Sequence, residues 1–194
     1  MKIFKADQVL DELKSGNERF IAEKRIFPQQ SLERRAEVAG GQHPMAVILG
    51  CSDSRVPPEI IFDQGIGDLF VIRVAGNIIN EAVIGSMEYA VEHLGVPLIL
   101  VLGHQRCGAV EAAVKGGKAP GHVGSLIEAI QPAVEKAKNL SGDFLDNTIR
   151  VHVEGTLEQL NVSKPILAER IKQGELKIIG GYYHLESGRV EFLP

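Results

Sequence analysis

The sequence predicts an α/β domain: a central parallel sheet of about four strands with an antiparallel edge strand, flanked by helices and preceded by an N-terminal helical arm. Three observations carry that expectation. The runs MAVILG (Met45 to Gly50), LFVIRVAG (Leu69 to Gly76) and PLILVLG (Pro97 to Gly103) are apolar without alternation, as strands buried on both faces of a parallel sheet are. Helical patterns separate and follow them, and strands alternating with helices pack through right-handed crossovers. The chain has 194 residues, 44% hydrophobic and 24% charged, which is enough to fill one core without disulfides.

Each element has its own signal. Ala6 to about Lys24 places Val9, Leu10, Leu13, Phe20 and Ile21 at roughly helical spacing, ending before IFPQQS. A second helix starts after Ser31, which can cap it, with Glu33 and Arg34 in its first turn and Gly40 and Gly41 ending it. NEAVIGSMEYAVEHLG (Asn80 to Gly95) is helical between the second and third apolar runs. From about Val123 to Gln173 the pattern is largely helical, with a break near SGDF. KGGKAPGHVG (Lys115 to Gly124) reads as a mobile loop between helices. LKIIGGYYHLESGRVEFL closes the chain as a strand, a turn at Ser187 and Gly188, and an antiparallel edge strand. No repeat, low-complexity segment or Pro/Ser-rich linker interrupts the pattern. Residues 1–194 are therefore expected to form one domain, with residues 1–40 as its helical arm. The amphipathic first helix is expected to have little to pack on in a compact sheet, and so to embrace a neighbouring subunit.

Charge narrows the partners. A formal net charge of -4 with no long Lys/Arg block gives no footprint for nucleic acid or an anionic membrane. The N-terminal stretch mixes charges through every turn and lacks the apolar centre of a secretory signal, and no other run approaches a membrane-spanning length. A cytoplasmic protein is expected. G-x-G-x-x-G and Walker patterns are absent, so nucleotide binding has little support.

The chemistry concentrates at CSDSR and GHQRCG. Cys51 leaves the first buried run, while His104 and Cys107 leave the third, so all three fall at the carboxyl ends of strands, where open α/β sheets bind ligands. If those strands are neighbours, two thiolates and an imidazole converge, a set that suits Zn²⁺ and leaves a fourth position open. The spacing alone also fits two buried cysteines acting as small hydrophobes beside a satisfied loop histidine. A phosphatase-type nucleophile is disfavoured, because Pro57 stands six positions after Cys51 where that loop needs Arg, and a C-x-x-C redox pair is absent. Asp53 and Arg55 also fit an ordinary loop salt bridge, but beside these ligands they add weight to a metal. A carboxylate two residues from a zinc thiolate can bind the metal or hydrogen-bond to its water, and a nearby Arg keeps it ionised. Two thiolates already cancel the charge of the ion, so a fixed carboxylate that orients the nucleophile is useful.

These paired motifs resemble the signature of the β-class carbonic anhydrases. The likeness extends through GNERF, GQHP, FDQGIGDLFVIRVAGN, GSMEYAVEHLGV and YYHLESGRV. The resemblance implies reversible hydration of carbon dioxide to bicarbonate and a proton. It implies one zinc ion per subunit on Cys51, His104 and Cys107, with Asp53 and Arg55 as the catalytic dyad and Asp53 as a fourth ligand in a closed state. Plant-like members also use a glutamine, a phenylalanine and a tyrosine in the substrate pocket, matched here by Gln42, Phe70 and Tyr89, and Gly108 matches a backbone position near the metal. On residue type alone Phe70 and Tyr89 read as core and Gln42 as a loop residue. The family pocket lies at a dimer interface, so a homodimer or homotetramer is implied, with Gln42 and Phe70 or Tyr89 from different chains. Another branch stores inhibitory bicarbonate around a tryptophan three positions before the first cysteine. Ile48 stands there in a chain without tryptophan, so that form of inhibition is not expected. Related zinc proteins on this fold hydrolyse carbonyl sulfide or carbon disulfide and would carry the same metal motifs. His43, His93, His122, His152 and His184 lack metal-like spacing and are expected to be exposed or satisfied in the core.

Overall fold

A computed structural model describes residues 4–117 and 119–193. Five strands, β1 (Ala46–Gly50), β2 (Leu69–Arg73), β3 (Leu98–His104), β4 (Lys177–Tyr183) and β5 (Val190–Leu193), form one sheet in the order β2-β1-β3-β4-β5. The first four are parallel, and β5 runs antiparallel to β4, as expected. The chain leaves β1 for β2 on one side of the sheet and leaves β3 for β4 on the other. Neighbouring β1 and β3 therefore flank the point where the strand order reverses, the natural crevice of such sheets.

The apolar runs of β1 and β3 are buried throughout, because each face of the sheet has its own layer. Ile48, Leu98, Leu100 and Leu102 point to one layer, which is completed by Val9, Leu10 and Leu13 of α1 (Ala6–Ile21) and Ile61 of α3 (Pro58–Ile61). Val47, Leu49, Ile99 and Val101 point to the other, against Val83, Met87 and Ala90 of α4 (Glu81–Leu94) and Val153, Leu157 and Leu160 of α7 (Phe144–Asn161). This two-residue alternation is the strand period meeting helices on both sides. α1 thus finds a surface on its own sheet, whereas α2 (Leu32–Val38) buries none of its residues.

Local chemistry sets the helix starts. Ser31, Asn80 and Asp143 accept from the backbone N–H of Arg34, Val83 and Asp146 at 3.2, 3.0 and 2.8 Å, capping α2, α4 and α7. α5 (Gly108–Lys115), α6 (Val123–Ala137) and α8 (Ile166–Lys172) complete the helices. Two expected segments reach past the described residues: 1–3 of the arm and Lys118 of the loop before α6 lie outside them.

Two expectations need correction: the first helix does have a surface to pack on, since Val9, Leu10 and Leu13 are buried against its own sheet, and the second apolar run differs too. LFVIRVAG was expected to be a strand buried on both faces, but β2 is an edge strand that stops at Arg73, with Leu69 to Ile72 only half-buried. The chain then enters a 3₁₀ turn, Ala75–Asn77, where Gly76 takes φ +70°, which no strand residue adopts. An apolar run shows that a strand wants cover, and says nothing about which neighbour provides it.

Candidate metal centre

Cys51 directly follows β1, His104 is the last residue of β3, and Cys107 is the N-cap of α5. The register pairs Gly50 with Leu102, so both strands deliver their side chains at the same end of the sheet. The three side chains are buried and their ligand atoms lie within 4.8 Å of one another. The two sulfurs are 4.0 Å apart, close to the roughly 3.8 Å that two Zn–S bonds of about 2.3 Å span at a tetrahedral angle. The imidazole supplies the decisive fit. His104 Nδ1 lies 2.9 Å from the Gln105 carbonyl, so Nδ1 carries the proton, and buried Nε2 keeps a lone pair with no hydrogen-bond partner. A buried nitrogen left bare in this way is costly unless a cation takes it.

The thiols point to the same occupant. Cys51 is shifted down to about 4, chiefly by the hydrogen bond from Cys107, helped by the Gly76 and Asp53 amides, against the opposing effect of burial. Those N–H groups donate to Cys51 Sγ at 3.2 and 3.4 Å. Cys107 is pushed up by donating to Cys51 and by burial, although the amides of Val110 and Ala109 at the start of α5 favour its thiolate. Without a cation the pair keeps one shared proton, and a divalent ion between them releases it.

Beside the cluster Asp53 is gripped by Arg55. Nε and Nη2 of Arg55 donate to the two carboxylate oxygens at 3.0 and 2.8 Å, and the Arg55 backbone N–H adds a third bond at 2.9 Å. The guanidinium holds the Asp53 carboxyl at about 2. Its Oδ2 lies 3.9 Å from His104 Nε2. Sequence reasoning missed Arg73, which donates to the carbonyls of Cys51 and Asp53 at 3.0 and 2.5 Å and ties β2 to the loop carrying both residues. A lone arginine ending an otherwise apolar run was the available signal.

The carbonic anhydrase family model matches residues 46–190, which include the cluster and the four parallel strands. Carbonic anhydrase 2 of Mycobacterium tuberculosis is 48% identical over 181 residues, covering 91% of this chain and 87% of that protein. The chain belongs to the β-class carbonic anhydrase family. The carbonic anhydrase of Mycolicibacterium smegmatis is 45% identical over 183 residues, covering 92% of this chain and 89% of its own. Among solved structures, the β-carbonic anhydrase CcaA superposes with a TM-score of 0.74 at 28% identity, covering 96% of this chain and 98% of that one. Coccomyxa β-carbonic anhydrase in complex with acetazolamide gives 0.75 at 28% identity, covering 96% and 85%.

Of the pocket residues that the resemblance named, one lies beside the cluster of this carbonic anhydrase chain and three do not. Gly108 opens α5 immediately after Cys107. Gln42 is exposed before β1 begins, a full strand length from Cys51. Phe70 pairs with Val47 near the amino end of the sheet, and its ring lies 6.4 Å from that of half-exposed Tyr89 on α4. Gln42, Phe70 and Tyr89 are thus remote from the metal cluster of their own chain. Of the remaining histidines, His93 stacks on Tyr89, His184 faces Glu191 at 3.6 Å, and His152 is buried.

Proposed function

We infer that this chain is a zinc enzyme that reversibly hydrates carbon dioxide to bicarbonate and a proton, with Cys51, His104 and Cys107 as zinc ligands and Asp53 and Arg55 as the catalytic dyad. The observation that carries the reading is the bare, buried Nε2 of His104 facing two cysteine sulfurs, in a chain of this family. Cys51, His104 and Cys107 would hold the ion, which when bound would supply a water acidic enough to act as a nucleophile near neutral pH.

Asp53 accepts a hydrogen bond from the nucleophile and so orients it toward carbon dioxide. Arg55 keeps both Asp53 oxygens in place and ionised, which leaves the carboxylate an acceptor throughout the working pH range. Arg73 fixes the backbone between Cys51 and Asp53, so ligand and acceptor keep their spacing. All three of Gln42, Phe70 and Tyr89 lie far from their own cluster, so they complete the substrate pocket of a second copy together instead of being divided between the two chains as expected. A homodimer or homotetramer follows, supported by the half-buried edge strand β2 and by the unburied α2. The two free thiols suit the reducing cytoplasm, and no described helix is long and apolar enough to cross a membrane.

The test is stopped-flow measurement of carbon dioxide hydration by the zinc-loaded protein across about pH 7 to 9, with carbonyl sulfide and carbon disulfide as competing substrates. Hydration that rises with pH supports the reading. Turnover confined to either sulfur gas would replace it with a hydrolase of that gas.

A further inference from the structure

The mechanism above gives no part to His152, yet this histidine is buried in the middle of α7 and makes a specific contact. Its Nε2 lies 2.9 Å from the Gly76 carbonyl oxygen. A carbonyl only accepts, so Nε2 carries the proton and donates. Burial lowers the His152 pKa, against the opposing effect of its bond to Gly76. The same Gly76 sends its own N–H to Cys51 Sγ at 3.2 Å. These two groups belong to successive peptide units, so the link between them is the orientation of one residue.

That residue is held from three helices. A Cβ at Gly76 would come within 2.8 Å of Ile130 Cδ1 on α6 and 3.1 Å of Ala109 Cβ on α5, and φ +70° disfavours any other residue. Packing on α5 and α6 limits where the turn can sit. The contact from α7 is directional, because a hydrogen bond to the carbonyl sets the rotation of the turn and with it the aim of the Gly76 N–H. Such a donor withdraws charge from the sulfur and lowers the cost of a buried thiolate.

We propose that His152 is a positioning residue of the metal centre: by holding the Gly76 carbonyl it aims the Gly76 N–H at Cys51 Sγ and so tunes the donation of that sulfur to the metal. The inference rests on zinc binding at Cys51. Its test compares wild type, His152→Leu and His152→Gln. Zinc affinity is measured by competition with a chromogenic chelator, and the cobalt(II)-loaded proteins are compared by their near-ultraviolet thiolate-to-metal band. Glutamine places an amide N–H at a reach similar to Nε2, whereas leucine fills the space without a donor.

The expected result is a shifted cobalt band and weaker zinc binding in His152→Leu, by a factor of up to the roughly 10- to 100-fold lost when a group bonded directly to a ligand is removed. His152→Gln should keep the wild-type band and affinity. A leucine variant matching wild type in both readouts, or a glutamine variant as weak as leucine, overturns the proposal. Should the leucine variant not fold, the glutamine variant decides: wild-type band and affinity support the proposal, and loss of either overturns it. Wild type without zinc affinity would instead remove the zinc assignment itself, and this inference with it.

Discussion

Asp53 and Arg73 separate two jobs that lie one bond apart. Asp53 touches none of the cysteines through its carboxylate, so Asp53→Ala should keep one zinc per chain and lose most hydration activity, while Cys107→Ser should lose the zinc. Metal content by atomic emission, read beside the hydration rate, checks both, and full activity in Asp53→Ala would remove its assigned role. Arg73 makes two forked bonds to backbone carbonyls. Arg73→Lys should recover only part of the hydration activity lost in Arg73→Leu, because one ammonium does not reproduce a planar fork. Equal rates in lysine variant and wild type would show that the fork is dispensable. The Cys51, His104 and Cys107 cluster and the Asp53–Arg55 pair were legible in the sequence because CSDSR and GHQRCG are short and local. Arg73 and the buried contact between His152 and Gly76 were not, since they join residues far apart in the chain through hydrogen bonds that no local pattern encodes.

At the level of elements, α7 lies unusually close to the sheet. A Cβ on Gly103 of β3 would meet Val153 Cγ2 at 2.7 Å, and one on Gly180 of β4 would meet Val153 Cγ1 at 2.9 Å. Gly103→Ala should therefore destabilise the fold by about 1–3 kcal/mol through overpacking, measurable by urea unfolding; an unchanged midpoint would mean that α7 shifts freely. The arm is fixed differently. Asp63 accepts from Arg19 Nε at 2.7 Å and from the Ile26 and Phe27 amides at 3.0 and 3.1 Å. Burial alone would raise its pKa, but these donors together hold it below the ordinary 3.8. A depressed pKa stabilises the folded chain above the unfolded value, and that contribution is lost as pH falls through the folded one. Asp63→Asn should thus melt lower than wild type at neutral pH, with the gap closing below about pH 3.8 in thermal scans; a gap independent of pH would deny the charge its part. Helix limits were readable from caps and periodicity. The edge position of β2 was not, because strand order is decided by packing across the whole chain.

For the whole molecule, the proposed sharing of Gln42, Phe70 and Tyr89 between copies would make association part of catalysis. Light scattering should show a dimer or tetramer at micromolar concentration, and an active monomer would contradict a pocket shared between copies. The central claim is that one zinc ion on Cys51, His104 and Cys107 makes this chain a carbon dioxide hydratase. The most direct measurement titrates the metal-free protein with zinc while following carbon dioxide hydration by stopped flow. The account predicts a rate that rises linearly and breaks at one zinc per chain; a fully loaded protein that remains inactive, or a rate indifferent to zinc, would contradict it.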